Sequence, residues 1–197
     1  MLTRFAITEK LALLKPISDL SDEASFKHPA DGSPIPAAVL IPIVHRHGSL
    51  SILLTKRTAH LKHHAGQVSF PGGRVSEEDN SRQFTALRET EEEIGLRLDE
   101  SSLIGKLPEY DIRTGFRVTP IVGWIESPFD CTIDPYEVES IFEVPMELVL
   151  GLENYEMSSS FSGLELRYYY RLPYQGYEIW GATAGMLRNL ATALIEV

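Results

Sequence analysis

Between Gly72-Gly73 and Gly95 lies the segment that most limits what this chain can fold into. Its middle, Asn80–Ile94, carries apolar residues at helical spacing. Asn80 is a capping type, Gln83 stands three residues on, and Gly95 is the residue that ends helices in the left-handed conformation. At about 100° per residue, Glu89, Glu92 and Glu93 fall within an arc of about 100°. Phe84, Leu87, Thr90 and Ile94 gather on the other side and are the expected core face, and Glu91 points away from the trio. Like charges at this spacing repel by roughly 0.2–0.5 kcal/mol per pair. They also crowd the C-terminal end of the helix, where the macrodipole favours cations. Local conflict of this kind is expected where function overrides stability. A divalent cation resolves it, because Mg²⁺ takes hard oxygen ligands and shares them with phosphates. The plainer alternative is a solvated acidic face in which Arg88 pairs with Glu92.

The charge around this helix is uneven. From His45 to Arg74 there is no Asp or Glu, and the stretch holds Arg46, Lys56, Arg57, Lys62 and Arg74 with five of the six histidines. From Val75 to Glu100 there are nine acids against Arg82, Arg88 and Arg97. A segment suited to an anion therefore runs into one suited to a metal, although chance surface charge gives the same pattern. The formal net charge of −10 argues against a general nucleic-acid binder, whose affinity comes from phosphate contacts. One cysteine, Cys131, excludes an internal disulfide and a Cys-cluster zinc site. The longest apolar run, Ala37–Val44, is strand-sized, so no membrane span is expected. The start of the chain has no secretory pattern, and the expectation is a cytoplasmic protein.

The 197-residue chain as a whole reads as short strands with two or three helices. Residues 5–15 form a short amphipathic helix stopped by Pro16, and residues 16–35 form an irregular arm rich in Asp, Ser, Pro and Gly. Ala37–His45 and Ser51–Lys56 flank a hairpin turn at Arg46-His47-Gly48. Gln67–Phe70 is a short strand stopped by Pro71-Gly72-Gly73. Ser102–Leu107, Val118–Ile125, Leu164–Leu172 and Glu178–Trp180 read as strands, and Gly181–Ile195 as a closing helix. Val138–Leu150 is ambiguous, with a helical turn near Pro145. The class is α/β (α+β), a mixed sheet between helices. Residues 1–34 are an N-terminal helix and arm, and residues 35–197 are one domain.

Gly73 and the run Arg88-Glu89-Thr90-Glu91-Glu92-Glu93-Ile94-Gly95-Leu96 resemble the Nudix box, a Gly, a spaced Glu, then Arg-Glu-apolar-any-Glu-Glu-any-Gly-apolar. Thr90 stands at the apolar position. The gap from Gly73 to Arg88 is one residue longer than in the general box, which puts Asp79 or Asn80 at the place of the spaced Glu. Upstream, Leu53-Leu54-Thr55-Lys56-Arg57-Thr58 and Leu61-Lys62-His63-His64-Ala65-Gly66-Gln67-Val68-Ser69-Phe70-Pro71-Gly72-Gly73 are similar to the motif of coenzyme A diphosphatases within that superfamily. Thr58 stands where Ser or Ala is usual, and Lys62 where Arg is usual. Ile179-Trp180-Gly181-Ala182-Thr183-Ala184 also resembles that branch.

The resemblance implies the Nudix fold, a mixed sheet sandwiched between helices with a loop–helix–loop. It implies hydrolysis of a diphosphate linkage dependent on Mg²⁺ or Mn²⁺, with CoA or a CoA derivative as the small-molecule substrate. The implied metal ligands are Glu89, Glu92 and Glu93, with Glu93 or Glu89 the most sensitive to change, and Arg88 orienting a carboxylate. Arg57, Lys62 and His64 are candidates for the substrate's phosphates, with Lys56 a weaker one. Gly72 and Gly73 let the backbone come close to the phosphate or metal. The general base is sought among Glu137, Glu139 and Glu143, with Glu139 chosen and a box carboxylate as the alternative. Trp180, Tyr168, Tyr169 and Tyr170 are candidates to stack on adenine, with packing as the alternative. A Nudix diphosphatase for another nucleotide, or a non-catalytic nucleotide-binding module, would share much of this pattern. A homodimer is an open expectation.

Overall fold

The computed structural model describes residues 2–14, 33–61, 64–162 and 165–196. Most of the arm expected at residues 16–35 lies outside these residues, as does Lys62.

The chain opens with helix α1 (Arg4–Ala12), where the Thr3 hydroxyl accepts a hydrogen bond from the Ala6 N–H at 3.2 Å. Strands β1 (Ile35–Arg46) and β2 (Ser49–Arg57) form the expected hairpin. His47 and Gly48 turn it with φ of 51° and 82°, the positive pair that a two-residue hairpin loop demands. The two strands pair only from Ile43 to Arg46 and from Ser49 to Ile52. Beyond that they separate, and two short strands fill the wedge. Strand β3 (Val68–Ser69) joins the far end of β2, and β4 (Gly72–Arg74) joins the start of β1. The Gly72-Gly73 pair, expected to stop a strand, is therefore inside one. At Gly72 the backbone has φ of 152°, and a Cβ would lie 2.5 Å from the Ala38 carbonyl oxygen. Only glycine passes there, which is a common reason for glycine in a strand.

Helix α2 (Arg82–Ile94) follows and ends at Gly95, whose φ of 67° is the left-handed cap expected for it. Its N-cap is Ser81 rather than Asn80. Ser81 is the last extended residue, and its Oγ accepts from the Phe84 N–H at 3.0 Å. The buried face is also rotated from the expected one. Thr85, Ala86, Thr90, Glu93 and Ile94 are buried, whereas Phe84 is 41% exposed. Ala86 packs on Ala38 and Leu40 of β1, and small side chains at this contact let the helix lie close to the sheet. The buried threonine hydroxyls are satisfied locally, Thr90 donating to the Ala86 carbonyl at 2.6 Å.

Strands β5 (Leu103–Lys106) and β6 (Tyr110–Asp111) pair antiparallel to β7 (Phe116–Glu126), which runs parallel to β1 from end to end. The ambiguous segment resolves into β8 (Val138–Pro145), paired along β2, and the short helix α3 (Met146–Leu150). A second sheet joins β9 (Glu156–Ser162), β10 (Glu165–Tyr174) and β11 (Tyr177–Trp180), all antiparallel. Sequence reading missed β9, whose Ser-rich composition looks like a loop and whose pairing with β10 makes it a strand. Helix α4 (Gly181–Glu196) closes the chain.

The layers follow from strand alternation. Ala37, Ile41 and Ile43 of β1 enter a core with Ile7 and Leu11 of α1, Met146 and Val149 of α3, and Leu187 and Leu190 of α4. Ala38, Leu40 and Val44 point the other way, toward Ala86 and Ile94 of α2. The mixed sheet thus lies between helices, as expected. No helix among the described residues is long and apolar enough to cross a membrane.

Candidate active site

The wedge between β1 and β2 faces the C-terminal half of α2. Glu93 lies in the middle of the helix's packed face and is 3% exposed. Its Oε2 accepts a hydrogen bond from the Gly72 N–H at 3.3 Å, and its Oε1 from Arg57 Nη1 at 3.2 Å. Burial pushes its pKa up to about 8, against the attraction of Arg57 and the Gly72 N–H; repulsion from Glu137 and Glu89 acts with the burial. Glu89, one turn earlier, sits over Gly73. A Cβ on Gly73 would lie 2.4 Å from the Glu89 carboxylate, so the glycine leaves the space this acid occupies. The Glu89 pKa is raised by burial and partly restored by Arg88. Glu92 is the most exposed of the trio.

Arg88 ties the trio to the loop before the helix. It donates to both oxygens of Asp79 at 3.0 Å, reaches Glu92 Oε2 at 2.9 Å and lies 2.8 Å from Glu89 Oε1. The Asp79 side chain is fully buried. It also accepts from the Ser76 N–H and the Thr85 hydroxyl, and Arg88 holds its pKa well below the ordinary carboxylate range. The sequence left Asp79 and Asn80 open as the spaced acid; the geometry selects Asp79.

The basic segment divides at the end of β2. Successive side chains of a strand alternate, and Lys56 and Arg57 accordingly take different partners. Arg57 turns to Glu93 and lies 3.7 Å from Glu137, whereas Lys56 donates to Glu139 Oε1 at 2.6 Å. Glu137, rather than the chosen Glu139, is the acid of β8's approach whose charge falls on both Glu89 and Glu93. Glu143 is engaged by Arg46 and Ser51. His64 has φ of 56° and shares a hydrogen bond with Gln67 at 2.8 Å.

A cleft of about 610 Å³ opens beside this cluster. Arg57, His64, Gly72 and Gly73 line it together with Trp180, Tyr169 and Arg167. Tyr169 meets Trp180 edge-on at 5.6 Å. Tyr170 lies elsewhere, packed edge-on against Tyr155 and under Arg188. Arg113 and Arg167, both in the cleft wall, were not singled out from sequence, because nothing in their local pattern marks them.

Among the described residues, no three His, Cys, Asp or Glu side chains converge closely enough to hold a metal ion. Each of the trio turns to an arginine instead. The donor set fits a hard divalent cation all the same: three carboxylates lie within the last two turns of α2, with Glu93 held in a buried place beside Arg57 and Gly73 leaving a cradle at Glu89.

The chain matches the NUDIX domain over residues 34–147. It is 42% identical over 155 residues to an uncharacterized Nudix hydrolase NudL of Escherichia coli, covering 79% of this chain and 80% of that one. The NudL of Escherichia fergusonii is 43% identical over 157 residues, with the same coverage. A MutT/nudix family protein from Enterococcus faecalis superposes with a TM-score of 0.56 at 14% identity, covering 84% of this chain and 63% of that one. With its box on one loop–helix–loop and its sheet between helices, this chain belongs to the Nudix family and is a Nudix hydrolase.

Proposed function

We propose that this enzyme, a hydrolase of a nucleoside diphosphate-linked substrate, cleaves CoA or a CoA derivative to 3′,5′-ADP and 4′-phosphopantetheine or its acyl form. The observation that carries the reading is the cleft. It joins residues of the upstream motif, Arg57 and His64, to Gly72 and Gly73 beside the acidic helix. Its volume also lies in the ordinary range of ligand pockets, roughly 300–1,000 Å³.

Glu89, Glu92 and Glu93 would hold Mg²⁺ or Mn²⁺, which neutralises diphosphate charge and lowers the pKa of a bound water. The chain's own residues do the positioning. Arg88, anchored on buried Asp79, fixes Glu89 and Glu92 in rotamer space and touches no substrate. Arg57 and His64, with Lys62 from the same segment, receive the phosphates. Gly72 donates its N–H to Glu93, and Gly73 leaves the room that the Glu89 carboxylate occupies. Glu137, on the site side of Arg57, replaces Glu139 as the preferred proton acceptor, and a box carboxylate is the alternative.

Incubation with CoA and Mg²⁺ or Mn²⁺, followed by chromatography, tests the reading. Two phosphorylated fragments are expected, turnover stops with EDTA, and Glu93→Gln loses at least about 100-fold in kcat with its circular dichroism unchanged. Undiminished turnover by Glu93→Gln contradicts the ligand assignment. ADP-ribose or a dinucleotide polyphosphate cleaved far faster than CoA moves the assignment to that substrate.

A further inference from the structure

The cleft holds a cation that the site so far described does not use. The Nε of Arg167 is buried and has no hydrogen-bond partner among the described residues. A buried unsatisfied polar atom costs about 1–3 kcal/mol, and more on a charged group. Such atoms are rare in folded proteins and call for an explanation.

Its placement is set by the sheet. On the β9–β10 hairpin, Arg167 pairs with Ser160 and Tyr169 with Ser158. Arg167, Ser160 and Tyr169 line the cleft, while Phe161, Leu166 and Tyr168 face outward and are exposed. A one-residue slip would send the arginine to solvent. The turn between β6 and β7 brings Arg113 and Thr114 to the same cleft. Trp180, 41% exposed, meets Tyr169 there and offers a base an aromatic face. Among the described residues one acid lines the cleft, Asp111, and both its oxygens accept from Arg117 at 2.7 and 2.9 Å. In a chain of net charge −10, the described residues lining this cleft include Arg57, Arg74, Arg113 and Arg167. Arg57, 3.2 Å from Glu93, belongs to the site already described.

We propose that Arg167, facing the cleft together with Arg113 and beside the Tyr169–Trp180 pair, forms a phosphomonoester subsite that recognises a phosphate on the ribose of the substrate's nucleotide half. The subsite rests on the reading of the cleft as the substrate site and explains how a 3′-phosphorylated nucleotide is told from one without that group. A guanidinium fork matches a phosphate dianion in two hydrogen bonds, and the adjoining aromatic face takes the base.

Titration calorimetry of the full chain with 3′,5′-ADP, 5′-AMP and 5′-ADP tests this without turnover. Wild type is expected to bind 3′,5′-ADP at least tenfold more tightly than 5′-AMP, and more tightly than 5′-ADP, which has a similar charge. In Arg167→Gln that preference falls below threefold; Arg167→Lys, which keeps charge without the fork, lies between. Arg113→Gln narrows it too. Equal binding of the three nucleotides by wild type, or a preference untouched in Arg167→Gln, overturns the subsite. Preference intact with no cleavage of CoA removes the CoA reading and leaves the subsite standing. Cleavage of CoA with no preference does the reverse.

Discussion

Asp79 and Gly73 show how much of the site is decided by single atoms. Asp79 spends all its acceptor capacity inside the fold, on Arg88, Ser76 and Thr85. Its folded pKa lies below the unfolded value of about 3.9. The stabilisation is therefore complete above that unfolded value and is lost as pH falls toward the depressed folded one. Asp79→Asn is expected to lower unfolding free energy by about 2 kcal/mol at pH 7 in urea melts, and the gap to wild type shrinks as pH drops through the acid range. A gap that stays constant to low pH contradicts the ion pair. Gly73→Ala acts without charge. Its methyl group lands on the Glu89 carboxylate at 2.4 Å, so turnover is expected to fall at least about 100-fold while the melting temperature moves by only a few degrees. Activity within twofold of wild type would show that the Glu89 position is not needed.

Helix α2 carries the site because both its ends are pinned. Ser81 supplies the cap hydroxyl, and Ser81→Ala is expected to cost about 1 kcal/mol in chemical denaturation, against a few tenths for Asn80→Ala. At the other end Gly95 is left-handed, and a Cβ there would lie 2.8 Å from the Thr132 carbonyl oxygen. Gly95→Ala is expected to cost more than the roughly 1 kcal/mol of the backbone conformation alone, read from the same melts. A periodicity count identified the helix but misjudged its orientation. It ranked Phe84 and Leu87 as core by hydrophobicity, whereas the sheet accepts the side with small residues and draws Glu93 in with it. Hydrophobic pattern reports where apolar groups prefer to go; the distance between helix and sheet decides which ones fit.

At the scale of the molecule, the N-terminal helix is part of the same core as the sheet. Ile7 is fully buried and shares a cluster with residues of α3 and α4. We propose that α1 melts with the rest of the domain. Ile7→Ala is expected to cost about 2–5 kcal/mol, with Trp fluorescence and far-UV circular dichroism still following one transition. Two separated transitions would make α1 an appendage. The cleft also belongs to this scale, since its walls come from strands of both sheets and the turn between β6 and β7.

The Arg-Glu run, the glycines around it and the upstream basic motif were legible in order along the chain, because each depends on neighbours a few residues away. So were the hairpin at His47-Gly48, the left-handed end at Gly95 and the closing helix. The pairing of Arg88 with Asp79, the place of Glu137 beside Arg57 and the turn of Arg167 toward the cleft were not. Each depends on which strand lies opposite and in what register, and those pairings join residues far apart in the chain. Local chemistry named the helix that carries the acids; only the packing of sheet against helix determined which cations meet them and what else faces the cleft.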